Sequence, residues 1–578
     1  SILLLTGCVM DFVLTLHSHL PYVLNHGRWP HGSDWLTEAT IDTYLPLLEQ
    51  LRRLAANGTP APATIGFTPV LANQLASPTY VMEMEAFFTQ RLTACDEAIP
   101  SLTATGETRL LPLVHYWRAR LTRLRALFHS VDRNLVRAFR SLEDEGRIQI
   151  IGSAATHGFL PLLARDESIR LQLAVGRHEH RRLFGRLPSG CWLPECAYRP
   201  RGNWAPTPDA PNPGMRRGIE EHLSDAGFQF FFTDAHQAHA GIPLGVYGDI
   251  PLGAERFDAE RHAETRLAQL AANPATRSPY QAYRLSPERN GRSVSALVRD
   301  PRSSMQVWSR QQGYPGDEWY LEFHKIRWPG GLKLWRVSPP GTDIGDKGPY
   351  DPERAHERSQ GHAAHFAGIL AGLAADANTG RGGVVVAPFD TELFGHWWAE
   401  GPDFLGALYE RLARQRLVRP RTAGDHLAHA PAKTALRLAA GSWGANGDWS
   451  MWLNPETEWT WRRLWPLENA FWDAAPAALE NTNAWPVLAQ AARELLLAQS
   501  SDWQFIISTG AVADYAERRF TEHCEDAEQL IRGLTGSGGT TLESAQKLAE
   551  RLAKRDDLFP DVLGSVATAL NGSRGTQT

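Results

Sequence analysis

Two segments of the chain end an apolar run in a proline and then an acidic residue. Residues 190–195 read Gly-Cys-Trp-Leu-Pro-Glu, and residues 383–390 read Gly-Val-Val-Val-Ala-Pro-Phe-Asp. Because proline does not continue a sheet ladder, we expect each strand to present its carboxylate, Glu195 or Asp390, at a sheet edge. Two carboxylates on one face could cleave a glycosidic bond with retention, one as nucleophile and one as general acid. Taken singly, each segment also fits an ion pair or a helix cap.

His17 and His19 follow the first apolar run, residues 12–16, and one serine separates them. Alternate side chains of a strand share one face, so we expect both imidazoles on the same side of the sheet. Three roles are open for this pair. The histidines could bind sugar hydroxyls, hold a metal ion as in metal-dependent hydrolases, or form ordinary hydrogen bonds at a sheet edge.

Short apolar strands alternate with amphipathic helical stretches, a pattern that predicts parallel β-α-β units. The helical stretches are residues 41–56, 111–144, 168–184 and 351–375, and the predicted strands are residues 12–16, 63–67, 148–151, 190–193, 228–233 and 383–387. In an α/β barrel the carboxyl edge of the strands is the active face. We therefore predict an α/β fold, a distorted barrel of about seven or eight strands. Polar residues at or just after these strands are His17, His157, Glu195, Asp234 and Asp390.

Two long segments interrupt the predicted barrel. Residues 80–145 are nearly all helix-forming and predict a helical insertion. Residues 235–300 are polar and aperiodic, which is typical of a lid or a binding loop. Tyr247 lies between Gly245 and Gly248 in this lid-like region. Glycine permits backbone conformations that other residues avoid, so this tyrosine could swing over an open cleft, or it could pack locally in an ordinary surface loop.

The chain turns helical after residue 425. Eight of the 20 tryptophans lie between residues 443 and 485, beginning in a loop rich in glycine and tryptophan at residues 441–454. Aromatic rings stack on sugars, so some of these side chains are expected to face ligand. We predict helices at residues 432–440, 476–499, 511–535 and 541–553. The expected domains are a catalytic barrel at 10–425 and a helical C-terminal domain at 426–565, with tails at 1–9 and 566–578.

Composition argues against several classes of partner. The net charge of −5 has no signature of nucleic acid or of an anionic membrane surface, and no run of 18 apolar residues predicts a membrane helix. Five scattered cysteines indicate no disulfide framework and favour a reducing cytoplasm. Residues 2–8 resemble a lipoprotein cleavage box without a basic segment before it, so we expect Met10 to be the natural start.

Five segments, taken together and in order, resemble the signature regions of glycoside hydrolase family 57. The resemblance implies an incomplete (β/α)7 barrel with a helical C-terminal domain, and an enzyme without metal or other cofactor. It also implies that Glu195 is the nucleophile and Asp390 the general acid/base. The segments are residues 17–21, 152–159, 192–198, 387–398 and 442–454.

Within that family the chain is similar to the 1,4-α-glucan branching enzymes, through residues 298–301, 306–309, 313–317, 334–337 and 348–352. This resemblance implies transfer of an α-1,4-glucan chain to a 6-hydroxyl. The family alternatives are a 4-α-glucanotransferase and an amylase-type hydrolase; a metallohydrolase and a non-catalytic glucan-binding protein are the rivals outside it. One position departs from the subgroup, since Ala511 stands where a substrate-binding glutamine is expected. The implied substrate-binding residues are His17, His19, His157, Asp234, Tyr247, Arg299, Trp308, Gly316, Trp397, Trp443, Trp452 and Asp502.

Overall fold

The computed structural model describes residues 9–28, 31–246, 277–285, 293–309, 313–376 and 383–572. The strands in this part of the chain are β1 (Met10–Ser18), β2 (Thr64–Phe67), β3 (Gln149–Ser153), β4 (Gly190–Trp192), β5 (Gly202–Trp204), β6 (Gly214–Arg216), β7 (Phe230–Thr233), β8 (Ile242–Val246), β9 (Tyr283–Leu285), β10 (Val294–Val298), β11 (Val384–Asp390), β12 (Val418–Pro420) and β13 (Thr434–Arg437).

Seven strands run parallel in the order β11, β1, β2, β3, β4, β7 and β10. One parallel bridge, from Arg299 to Val386, joins the β10 end of this row to β11. At the same seam the Asp300 N–H donates to the Val386 carbonyl at 2.8 Å. The seven strands therefore curl into a barrel with a short final seam, which confirms the expected incomplete (β/α)7 architecture.

Burial along the strands follows the two-residue period of a sheet. Every residue of β1 is buried. Phe12 and Leu14 pack in the large cluster that includes the helices, whereas Val13 packs inside the barrel, where Trp192 and Phe230 also lie. Because both faces of the parallel sheet are covered, its strands read as continuous apolar runs.

Helices surround the barrel and form most of the chain beyond it. In the described residues no helix is long and apolar enough to cross a membrane. Within the barrel region the α-helices are Ser33–Ala39, Leu45–Ala56, Pro69–Leu75, Pro78–Ala104, Leu111–Ser130, Leu135–Asp144, Asp166–Phe184, Ile219–Asp225, Ala235–His239, Pro301–Trp308, Pro352–Ala375, Gly401–Leu412 and Ala423–His429. Beyond it they are Glu458–Glu480, Trp485–Ala498, Asp502–Thr509, Ala513–Thr535, Leu542–Arg555 and Val562–Asn571.

Three predictions about secondary structure are wrong. The helical stretch predicted at residues 111–144 is divided between the helices Leu111–Ser130 and Leu135–Asp144. The helix predicted at residues 432–440 is strand β13, which pairs with β8 and β9. The residues of this segment have a preference for helix, but the hydrogen bonds that β13 forms with β8 and β9 outweigh that local preference. The helix predicted at residues 476–499 is divided between two helices by the turn Thr482–Ala484.

The predicted lid-like region also contains barrel structure. Strand β10 is nearly all buried and supplies one of the seven parallel strands, although it lies within residues 235–300. Tyr247 lies outside the described residues. Strand β13 carries the sheet to Arg437, beyond the predicted boundary at residue 425, and the last helix ends at Asn571, inside the predicted tail 566–578. We therefore propose a barrel followed by a helical domain, with the boundary after β13 and the helical domain extending to Asn571.

Candidate active site

The carboxyl ends of neighbouring strands bring five predicted site residues to one end of the barrel. In the register of β1 and β11, His17 lies directly opposite Asp390. Glu195 lies in the short turn after β4, and Asp234 and Arg299 directly follow β7 and β10. Because parallel strands end at the same edge, these side chains share the mouth of the barrel.

Glu195 has an unusual backbone conformation. Its φ of 60° and ψ of 21° lie in the left-handed region, which few residues other than glycine adopt. Such strain costs roughly 1–3 kcal/mol and clusters at functional sites. Trp443 holds the residue at two points. Its backbone N–H donates to the Glu195 carbonyl at 2.9 Å, and its indole N–H donates to Oε2 at 2.8 Å. The predicted glycine- and tryptophan-rich loop thus orients this carboxylate.

Three stacked histidines link the barrel to the helical region. Nε2 of His17 lies 3.0 Å from Nε2 of His157. His19 stacks on His157 with ring centroids 4.0 Å apart, and its Nε2 lies 2.9 Å from Oδ2 of Asp502. Nδ1 of His157 lies 3.8 Å from Oε1 of Glu195. Asp502 belongs to helix Asp502–Thr509, so a residue beyond the barrel completes the site.

Arg299 joins Asp234 to the same tryptophan. Its Nη1 donates to Oδ2 of Asp234 at 3.0 Å. Its guanidinium lies 5.3 Å from the centre of the Trp443 ring, within the range of a cation–π contact. The side chains at this centre stay partly accessible, between 10% and 20% exposed for His19, Glu195, Asp234, Arg299 and Asp502. A ligand can therefore reach them from one side while their other sides are packed in protein.

Burial changes the protonation of the site. It raises the pKa of Glu195 to about 8, an effect that the charge of Asp390 adds to and the Trp443 N–H opposes. Burial also raises the pKa of Asp390 to about 6, against the positive charges of His19 and Arg299. The pair therefore holds a proton near neutral pH, and these pKa values place it on Glu195, whereas the roles implied by the family resemblance need it on Asp390 when Glu195 attacks. Burial lowers the pKa of His17 and of His157, which are therefore neutral.

The other predicted residues that the structure describes form no hydrogen bond or ion pair with this centre, and their roles stay predictions. Trp397 is 42% exposed, and Gly316 is exposed in the turn Tyr314–Gly316. Trp308 is half-buried at the end of the helix that follows Arg299. Trp452 is fully buried and stacks on Phe159 at 4.6 Å, so in this structure it supports the glycine- and tryptophan-rich loop instead of offering a face to ligand.

Sequence analysis missed the side chains that hold the predicted residues in place. Thr68 bonds to Nδ1 of His19, and Ser501 bonds to Nδ1 of His157, each at 2.9 Å. Glu392 accepts hydrogen bonds from the His19 backbone N–H at 3.1 Å and from the Tyr44 hydroxyl at 2.5 Å. Ser501 and Glu392 lie within two residues of a predicted site residue, a signal that could have found them. Thr68 and Tyr44 carry no comparable pattern.

Two groups of described residues have donor atoms spaced for a metal ion, with these atoms within 4.8 Å of one another. The first is His19, His157 and Asp502. Both ring nitrogens of each histidine already bond to protein groups, so the cluster is satisfied without an ion. The second is Glu494, His523 and Asp556, buried in the helical region, where Arg555 pairs with both acids and Arg519 lies 3.2 Å from Nε2 of His523.

Comparison with known proteins agrees with this geometry. Residues 13–434 match the model of glycosyl hydrolase family 57, and residues 467–565 match the model of the 1,4-alpha-glucan branching enzyme C-terminal region. The chain is 37% identical to a 1,4-alpha-glucan branching enzyme of Thermococcus kodakarensis, over 95% of this chain and 77% of that protein. It is similar to the crystal structure of a branching enzyme of the same family from Pyrococcus horikoshii, with a TM-score of 0.84 and 36% identity over 97% of each chain. An alpha-amylase of Thermotoga maritima has a TM-score of 0.77 and 26% identity, over 97% of this chain and 99% of that one. The chain therefore belongs to glycosyl hydrolase family 57.

Proposed function

We propose that the chain is a retaining 1,4-α-glucan branching enzyme. One observation carries this proposal: the region that matches the branching-enzyme C-terminal model supplies Asp502 to the site, through its hydrogen bond with His19. A C-terminal region that only covered the barrel would not need to bond a histidine of the site. We propose α-1,4-glucans, such as amylose or a glycogen-like polymer, as substrates. We propose a reducing cytoplasm as the location. The four cysteines that the structure describes support it, because each is a free thiol buried inside the protein.

In the proposed reaction Glu195 attacks C1 of an internal glucose while Asp390 protonates the departing O4. The bond between C1 and O4 breaks, and a covalent glucosyl-enzyme forms. Asp390 has then given up its proton and acts as base, taking a proton from the 6-hydroxyl of an acceptor chain as that oxygen attacks C1, and the bond from C1 to Glu195 breaks to release the carboxylate. Attack requires Glu195 to be ionised, and the Trp443 N–H favours that form.

Two features favour the alternative reactions of the covalent intermediate. These are hydrolysis, in which water is the acceptor, and transfer to the 4-hydroxyl of another glucan chain. The structure is also similar to an alpha-amylase, and Ala511 lacks the amide that could bond an acceptor sugar. The carboxylate chemistry is common to these outcomes, because only the acceptor differs. Exclusion of water from the cleft would decide among them.

The test is incubation with amylose, followed by proton NMR. Branching predicts new 1,6 linkages in excess of new reducing ends, since each transfer conserves the number of glycosidic bonds. Reducing ends that appear without 1,6 linkages would show a hydrolase. A changed chain-length distribution with neither product would show a 4-α-glucanotransferase. The Glu195→Gln variant is the control for catalysis by a contaminant.

A further inference from the structure

A cavity of about 730 Å³ lies on the outer side of the barrel, away from the catalytic carboxylates. Its walls come from three helices, Asp166–Phe184, Ile219–Asp225 and Val562–Asn571. Three arginines of the first helix line it. Their spacing of seven and then four residues is two turns and one turn, so they share one helix face. These residues are Arg170, Arg177 and Arg181.

The acidic residues in the cavity wall leave an excess of positive charge. Asp225 is paired at 2.7 Å with Arg217, which does not line the cavity. Asp561 lies 3.9 Å from His178, at the limit of an ion pair. Arg170 is paired with Glu167 at 3.4 Å, whereas Arg181 forms no ion pair within the described part of the chain. The cavity therefore suits an anion.

Two of the arginines are held in position before any ligand arrives. The Arg177 guanidinium lies 5.5 Å from the centre of the Phe228 ring. It also occupies the space beside Gly227, where an added Cβ would come within 2.5 Å of its Nη1. Arg170 donates a hydrogen bond of 2.6 Å to the carbonyl of Ala569 in the opposite wall. Side chains ordered in this way lose little entropy when they bind.

A buried histidine in the same wall lacks hydrogen bonds. His222 is 1% exposed, and neither ring nitrogen has a hydrogen-bond partner among the residues the structure describes. The closest carboxylate oxygen, Oδ1 of Asp166, is 3.7 Å from Nε2. A buried polar atom without a hydrogen bond is destabilising. Because its side chain is fully covered by protein, His222 forms part of the wall and offers no ring nitrogen to a ligand in the cavity.

We propose that this cavity binds a nucleoside phosphate. The phosphate oxygens would accept hydrogen bonds from the arginines, since guanidinium groups match phosphate geometry with paired N–H donors. The base would lie against the apolar part of the wall, which a free phosphate or a sugar phosphate would leave uncovered. These apolar side chains are Leu173, Leu187 and Leu563. The glucan cleft plays no part in this assignment, so it does not depend on the catalytic proposal.

Isothermal titration of the full chain with ADP tests this site, with inorganic phosphate and adenosine as separate probes. We expect saturable binding of one ADP per chain, and weaker binding of both fragments. Arg181→Gln and Ala174→Glu should each weaken ADP binding at least about tenfold, by loss of a charged hydrogen bond and by filling the cavity with a negative charge. Arg123→Gln is the matched control, because it removes an exposed arginine from another barrel-side helix.

Three results would overturn the proposal. ADP could show no saturable binding, inorganic phosphate could bind as tightly as ADP, or ADP could bind Ala174→Glu and Arg181→Gln as tightly as it binds the wild type. Thermal unfolding of both variants shows that they keep the fold. Arg181 is exposed, so its variant keeps the test decisive if Ala174→Glu does not fold.

Discussion

The indole N–H of Trp443 donates a hydrogen bond of 2.8 Å to Oε2 of Glu195, the proposed nucleophile. The same tryptophan lies beneath the guanidinium of Arg299, which bonds Asp234. One residue of the loop that leads into the helical region thus contacts groups that follow two different barrel strands. Its hydrogen bond favours the ionised form of Glu195 in surroundings where burial favours the protonated form.

Trp443→Phe should raise the pKa of Glu195, because the lost N–H lowers that pKa in the wild type. The acid limb of the rate profile should therefore move to higher pH, with activity near neutral pH falling about tenfold or more. The measurement is kcat/KM against pH with a soluble glucan. Trp485→Phe is the control, since that indole N–H bonds the Leu479 carbonyl far from the site. An unmoved acid limb would show that this hydrogen bond does not set the protonation of the nucleophile.

Glu195→Ala and Asp390→Ala should each lower turnover by about a thousandfold or more. Both carboxyls have raised pKa values because they are buried, so the variants should melt within a few degrees of the wild type or above it. Azide should rescue one of the two as a glycosyl azide, and the anomeric configuration of that product identifies the nucleophile. Glu480→Ala, at the exposed end of a helix, is the control. Near-normal activity in either site variant would refute the assignment.

Asp502→Asn should flatten the acid dependence of stability. Burial alone would raise the pKa of Asp502, but the charge and hydrogen bond of His19 outweigh it and lower the pKa to about 2. A carboxyl with a lowered pKa stabilises the fold above its ordinary value of 3.8, and this contribution is lost as the pH falls towards 2. The wild type should lose on the order of 2 kcal/mol more than the variant over this range. Urea unfolding at several pH values measures the difference, with exposed Asp473→Asn as control.

Removal of metal ions should leave activity unchanged. The histidine cluster has donor atoms for an ion, yet each ring nitrogen of His19 and His157 already bonds to a protein group. The measurements are metal analysis of the purified protein and activity after treatment with a chelator. Stoichiometric zinc, with activity lost on chelation and restored by zinc, would contradict this prediction.

Tyr247→Ala should lower the ratio of 1,6 linkages formed to reducing ends released. In the lid hypothesis the tyrosine ring covers the covalent intermediate and excludes water, and water needs no lid to attack. Proton NMR of amylose products measures both quantities, and Tyr247→Phe should keep the ratio because it keeps the ring. If the alanine variant has the wild-type ratio, acceptor choice lies elsewhere, and Trp308, Trp443 and the surroundings of Ala511 are the next positions to test.

The apolar strands and the residues that follow them were predictable from sequence, because a barrel presents chemistry where strands end. Strand β10 was not predictable, because its five residues are too few to give a clear periodic pattern within a long polar segment. Strand β13 was mistaken for a helix because its pairing partners are distant in sequence, and local propensity takes no account of them.

The site was predictable to a different extent for each residue. Glu195 and Asp390 follow a strand and a proline, a pattern that sequence shows directly. The bonds from Thr68 to His19 and from Ser501 to His157 join residues that no local pattern relates. Their positions depend on the packing of the helical region against the barrel, which only the folded chain displays.

The hydrogen bond between His19 and Asp502 joins residues that are 483 positions apart. At a translation rate of 5–20 residues per second, the ribosome needs roughly 25 to 100 s to make the chain between them. Glu195 and then Asp390 are made within that interval, so the nascent chain has both carboxylates but lacks Asp502 only while the residues between Asp390 and Asp502 are made, and Trp443 is missing for the first part of that time. The proposed catalytic centre is therefore incomplete until Asp502 has been made and the helical region packs against the barrel.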